Sequence, residues 1–218
     1  MSAIFPRFTT LFSLLALGAL AIGQANAGVV VSLVGDKDGF GLTGAPAVPA
    51  DGTLWQTDLG GSFFNDYRDA LDVATAPFTD KWSSDAAVTY VHSYDLAGQT
   101  PLSAVLSVQF AGVADQRGPW DVFFDGVLLG QIPTSMDASA FEMVRMLSWN
   151  VPVGLLTGSD TILLNINVPE TTDGYSINFS ELQIETADAG VPDSGSTLAL
   201  FGFGLAGLVL LKRRLARA

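Results

Sequence analysis

The chain has 218 residues with 22 acidic and 10 basic side chains, a net charge of −12, one histidine and no cysteine. Excess acid repels nucleic acid and anionic lipid, so neither is expected as a partner. The absence of cysteine removes disulfides and thiol nucleophiles, and the single histidine, His92, removes any two-histidine metal site.

The first segment carries a targeting pattern. Arg7 is the only charged side chain among the first 35 residues, residues 11–22 are apolar, and Ala25-Asn26-Ala27 is a small-x-small cleavage site. Residues 1–27 therefore read as a secretory signal peptide, with signal peptidase and the general secretion machinery as partners. Residues 28–188 read as one exported domain. Five basic against twenty-one acidic side chains between residues 28 and 190 give that part a net charge of −16.

Residues 29–34 form the first expected strand. Residues 35–62 are rich in Gly and Pro and read as a long loop, with a short strand near Trp55. Within it, Gly35-Asp36-Lys37-Asp38-Gly39 sets two carboxylates two residues apart on a turn. Hard oxygen ligands on such a loop suit Ca²⁺; the competing reading is a solvated acidic turn. Residues 65–73 fit a helical turn or a short strand.

Residues 87–96 alternate, with Val88, Tyr90, His92 and Tyr94 on one face. Residues 102–110 place Leu102, Ala104, Leu106, Val108 and Phe110 on one face. Asp125-Gly126, between two apolar runs of 120–132, predicts a β-hairpin with a type I′ turn, because both central positions need positive φ. Residues 141–151, 161–168 and 175–185 complete the strands. In the last, Tyr175, Ile177, Phe179, Glu181 and Gln183 oppose Ser176, Asn178, Ser180, Leu182 and Ile184.

Seven to nine short strands at this spacing predict an all-β fold, an antiparallel β-sandwich. Trp55, Trp82 and Trp120 fall in or beside loops, near Asp58, Asp85, Arg117 and Asp121. They are candidates for stacking on sugar rings; the alternative is that they cap the sandwich core. No His-Glu-x-x-His, Gly-x-Ser-x-Gly or lysine-bearing phosphate loop occurs, so no catalytic residue is assigned and no enzyme is expected.

The sequences Phe124-Asp125-Gly126-Val127-Leu128-Leu129-Gly130, Val151-Pro152, Leu155-Leu156-Thr157-Gly158-Ser159-Asp160-Thr161-Ile162 and Ser180-Glu181-Leu182-Gln183-Ile184 occur in that order. Together they resemble a jelly roll of the galactose-binding-like type over about residues 87 to 186. The resemblance implies carbohydrate binding, an accessory role, or a module with no known ligand. It also implies a structural Ca²⁺ between the first loop and the last strand, held by Asp36, Asp38, Asp173 and Glu181.

Residues 189–218 hold a short polar motif, Val191-Pro192-Asp193-Ser194-Gly195, an uncharged apolar run over 197–211, and the basic end Lys212-Arg213-Arg214 with Arg217. As a helix the apolar run spans roughly 22 Å, short for a permanent anchor in a core of about 30 Å. The basic end belongs on the cytoplasmic side. This three-part tail resembles the PEP-CTERM sorting signals in their VPDSG variant; the second proline of the commoner Pro-Glu-Pro form is absent. The resemblance implies a C-terminal transmembrane helix and recognition by an exosortase, a membrane-embedded protease. It also implies a place at the cell surface or in the extracellular matrix, beside extracellular polysaccharide and biofilm. Two readings of the domain follow: a carbohydrate-binding or matrix module, and a structural surface protein without a specific ligand. A glycoside-active enzyme is a third.

Overall fold

The computed structural model describes residues 27–63, 65–112, 119–133, 143–165 and 174–187, together with Lys212. Residues 1–26 of the expected signal peptide, the sorting motif and apolar run of the tail, and Asp173 all fall outside the described residues; Ala27, the last residue of the expected signal peptide, opens the first strand. Among the described residues no helix is long and apolar enough to cross a membrane.

Two antiparallel sheets of four strands make a β-sandwich. The first sheet orders β1 (Ala27–Gly35), β8 (Ser176–Ala187), β3 (Thr100–Ala111) and β6 (Val144–Asn150). The second orders β2 (Val88–Ser93), β7 (Ser159–Asn165), β4 (Trp120–Phe124) and β5 (Val127–Ile132). Among the described strands only β4 and β5 are joined as a hairpin. Its turn is the expected one: Asp125 and Gly126 have φ of 48° and 76°. Asp125 also ties the turn to β7, since its N–H donates to Thr161 O at 2.8 Å and its Oδ1 accepts from Thr161 N at 2.7 Å.

Alternation places the core between the sheets. Val88 and Tyr90 of β2, Ala104, Leu106, Val108 and Phe110 of β3, Val122 and Phe124 of β4, and Ile162 and Leu164 of β7 are buried together. Leu102, expected on that face, is 57 % exposed, because the β3–β8 register shifts between Pro101 and Ser103. A second shift lies opposite Asn178, where Gln109 pairs with Phe179 but Phe110 pairs with Ile177. An extra residue on one strand reverses the parity of its side chains. Tyr175 and Ile177 therefore join the same core as Leu182 and Ile184, which simple alternation set on opposite faces.

A second cluster holds Phe40, Leu42, Trp55, Trp82, Ala111 and Val144. The loop that follows β1 makes this layer. Phe40 is fully buried; its N–H donates to Asn178 Oδ1 at 3.0 Å, and its ring meets Trp55 edge-on at 5.1 Å. Beneath the loop, Asn178 Nδ2 donates to Gln109 Oε1 at 2.7 Å, and Gln109 Nε2 donates to Pro49 O at 2.8 Å. A loop so anchored buries its aromatic side chains as a strand would.

Candidate metal centre

Gly35 ends β1 with φ of 77°, and a Cβ there would sit 2.6 Å from both Asn178 O and Thr79 Cγ2. The chain then turns through Gly39, Phe40 and Gly41, all at positive φ. This places Asp36 and Asp38 against residues far along the sequence. Asp38 Oδ1 accepts from Gly41 N at 2.8 Å.

The short helix α1 (Ala70–Thr75) supplies two more carboxylates. Asp69 is its N-cap, and its Oδ1 accepts from Leu71 N at 2.6 Å and from Asp72 N at 3.2 Å. Asp72 follows in the first turn, 1 % exposed, with Oδ1 accepting from the Thr79 hydroxyl. Asp80 completes the group from the next loop. Its φ of 52° is in the left-handed region, which Asp tolerates better than most residues. Its backbone is fixed on both sides, the N–H donating to Ile177 O at 2.8 Å and the carbonyl accepting from Tyr67 N at 3.0 Å.

Asp36, Asp38 and Asp80 form one triad, and Asp36, Asp69 and Asp72 another; within each, carboxylate oxygens lie within 4.8 Å of one another. Among the described residues no Lys or Arg pairs with any of the five. Lys37 turns to Glu181 and lies 4.9 Å from the Phe179 ring centre, while Arg68 pairs with Asp66. Burial, then the charges of Asp38 and Asp72, pushes the Asp80 carboxyl up to about 10. Burial, then Asp38, raises Asp36 to about 6. Contact between the Asp80 and Asp72 carboxyls is a hydrogen bond only while one of them holds a proton. Such a site would gain most from a positive charge.

Of the residues expected to hold Ca²⁺, the structure brings Asp36 and Asp38 together. Glu181 is on β8, bonded to Lys37 and to Gln183 Nε2 at 2.6 Å, outside both triads. Asp69, Asp72 and Asp80 were not legible as partners. The one available signal was the i, i+3 spacing of Asp69 and Asp72 at a helix start, which puts both on one side of its first turn.

The tryptophans correct a further expectation. Trp55, Trp82 and Trp120 are 0 %, 7 % and 5 % exposed, so none presents a ring face for a sugar to stack on. Trp120 opens β4 and packs into the sandwich core, while Trp55 and Trp82 lie 5.7 Å apart in the second cluster. Trp149 is partly buried at the core edge, over Gly130, whose Cβ would stand 2.8 Å from Trp149 Cδ1. His92 is buried between Ser32 Oγ at 3.1 Å and Ser180 Oγ at 2.9 Å, and burial lowers it to about 4. A cleft of about 750 Å³ opens between β1 and β2 beside α1, lined by Leu33, Leu71, Phe78 and Tyr90 with Ser and Thr hydroxyls. Its lining has no carboxylate, amide or guanidinium side chain. Glycoside cleavage needs two carboxyls that face a substrate. Asp72 and Asp80, sealed at 1 % and 0 % exposure, do not.

Residues 190–215 match the VPDSG-CTERM motif. The tail is a VPDSG-CTERM sorting signal. Such a tail marks an exported protein of the cell envelope. No curated protein matches the chain. Among solved structures it is similar to dimeric latent PorU from Porphyromonas gingivalis, at 17 % identity and a TM-score of 0.38, over 48 % of this chain and 10 % of that one. It is also similar to a β-porphyranase of glycoside hydrolase family 86 from Bacteroides plebeius, at 13 % identity and a TM-score of 0.35, over 51 % of this chain and 20 % of that one. A family 35 carbohydrate-binding module from Clostridium thermocellum aligns at 11 % identity and a TM-score of 0.25, over 44 % of this chain and 90 % of that one. The chain thus matches only 10 % and 20 % of the first two proteins' lengths.

Proposed function

We propose that this is a non-catalytic surface or matrix protein, exported by its signal peptide and processed by an exosortase at its VPDSG-CTERM tail. The observation that carries the reading is the motif match over residues 190–215. The β-sandwich is the displayed part. Its strand orders, β1-β8-β3-β6 and β2-β7-β4-β5, support a jelly roll of eight strands. Between the two roles open to the domain, burial of Trp55, Trp82 and Trp120 favours a structural module over one that grips sugar rings by stacking. The cleft between β1 and β2 favours it too, since sugar hydroxyls are held best by the carboxylate, amide and guanidinium groups its lining lacks.

Intact mass of the protein recovered from its native host tests this. The expected mature form lacks residues 1–27 and the apolar run with its basic end. Replacing Pro192 and Asp193 by Ala is expected to leave export intact and to hold the protein in the membrane. A mature form that still carries Lys212 to Arg217 overturns exosortase processing.

A further inference from the structure

Two kinds of observation converge at the far end of β1. One is the cluster itself, five carboxylates from three separate segments. The other is a set of buried oxygens with nothing to bond. Both oxygens of Asp80, Oδ2 of Asp72 and Oδ1 of Asp36 are sealed from solvent and have no hydrogen-bond partner. Asp80 is 0 % exposed and Asp72 1 %, so water does not solvate them as it does surface acids. Buried carboxylates are ordinarily paired, hydrogen-bonded or bound to metal. Here the nearby cations Lys37 and Arg68 are engaged elsewhere and the N–H and O–H donors go to other oxygens, so without a metal ion the carboxyls can only share protons among themselves. The backbone spends left-handed conformations on the arrangement, with Phe40 and Asp80 both at positive φ.

We propose that the folded domain binds Ca²⁺ in this pocket, through Asp36, Asp38, Asp69, Asp72 and Asp80. Asp36 belongs to both triads and is the shared ligand. An oxygen-only donor set from irregular loops suits Ca²⁺, which takes six to eight oxygens in flexible geometry. Mg²⁺ demands a near-ideal octahedron and keeps several waters, so it fits poorly among so many crowded carboxylates, two of them sealed from solvent. Zinc and its neighbours favour nitrogen and sulfur, and the pocket has neither. The ion joins the loop after β1, α1 and the segment at Asp80 into one body, in a chain without a disulfide to do so. Free Ca²⁺ is abundant outside cells and scarce within them, so this part of the domain would set firmly only after export. Ca²⁺ binding at this cluster is independent of how the tail is processed.

The test uses the full chain in mild detergent, stripped with EDTA and followed by tryptophan fluorescence on heating, with calorimetric titration of Ca²⁺ alone. At a hundredfold excess over Kd, Ca²⁺ is expected to raise Tm by about 5–10 °C. An equal concentration of Mg²⁺ is expected to raise it by far less. Asp80→Asn keeps the side-chain shape and tolerates positive φ, but should weaken Ca²⁺ at least tenfold. Because Asn is neutral without having to take up a proton, its metal-free Tm is expected to equal or exceed that of the wild type, which separates lost binding from lost folding. Asp36→Asn should behave alike, and Asp95→Asn, an exposed acid outside the cluster, should keep the full response. Equal effects of Mg²⁺ and Ca²⁺ would overturn the site, as would an Asp80→Asn protein that retains the Ca²⁺ response. So would metal-free variants that are both less stable than the wild type, since the carboxylates would then be held by donors of the protein.

Discussion

Raising the pH of the metal-free protein from 7 to 9 should weaken it, the reverse of what paired carboxylates do. Asp80 has an ordinary value of 3.8 and is pushed to about 10 in the fold. A carboxyl raised by folding contributes stability that is full below its unfolded value and is lost as pH climbs towards its folded one. Asp36, raised from 3.8 to about 6, acts in the same sense but is finished by pH 7. His92 works the other way: lowered from 6.5 to about 4, it costs stability as pH falls through that interval. Below pH 6.5 the effects oppose one another, while between pH 7 and 9 His92 is neutral in both states and Asp80 dominates. Tyr90, Tyr94 and Tyr175 are raised above their ordinary value of 10 and act only beyond this window. One proton held by the folded but not the unfolded state gives a slope of about 1.4 kcal/mol per pH unit, or about 3 kcal/mol from pH 7 to 9. Urea denaturation in EDTA measures it, at a salt concentration that screens the general repulsion of the acidic surface. Asp80→Asn should flatten the slope. A wild-type stability that is level or rising across the window, or an Asp80→Asn protein that keeps the decline, would refute the reasoning.

The hairpin turn and the core give two further expectations. Gly126 has φ of 76° and open space around it, so Gly126→Val adds backbone strain without a clash and should cost about 1–3 kcal/mol in chemical denaturation. Leu106 is fully buried between the sheets, and Leu106→Ala should cost about 2–5 kcal/mol, read as a lower urea midpoint with an unchanged m-value.

The sheets were legible wherever local chemistry acts alone. Asp125-Gly126 announced its turn because few residue pairs accept two positive φ values in succession. The alternation of Val88, Tyr90 and His92 announced a strand with one buried face, and all three are buried. Legibility failed where distant segments meet. The extra residue at Asn178 leaves no mark in the sequence, so the parity of β8 could be read only on one side of it. Trp55 lies in a Gly- and Pro-rich stretch that suggests exposure, and only the anchoring of Phe40 to Asn178 shows why that loop lies flat and buries it. Asp36 and Asp38 advertised themselves by spacing. Asp72 and Asp80 did not, because among twenty-one acids nothing local tells a solvated carboxylate from a sealed one.

The pairing of the first strand with the last has a kinetic consequence. Gly28 lies opposite Thr186, and β8 separates β1 from β3, so the first sheet has no continuous ladder until the final strand arrives. Contacts between residues so far apart in sequence form slowly, since loop closure precedes any gain from them. A chain truncated before Ser176 would keep the partners of the second sheet but lose the centre of the first. A translocating chain therefore stays threadable for most of its length. The strand that ends this period is followed within three residues by the start of the matched motif at 190, so the domain can close only as its sorting signal emerges behind it.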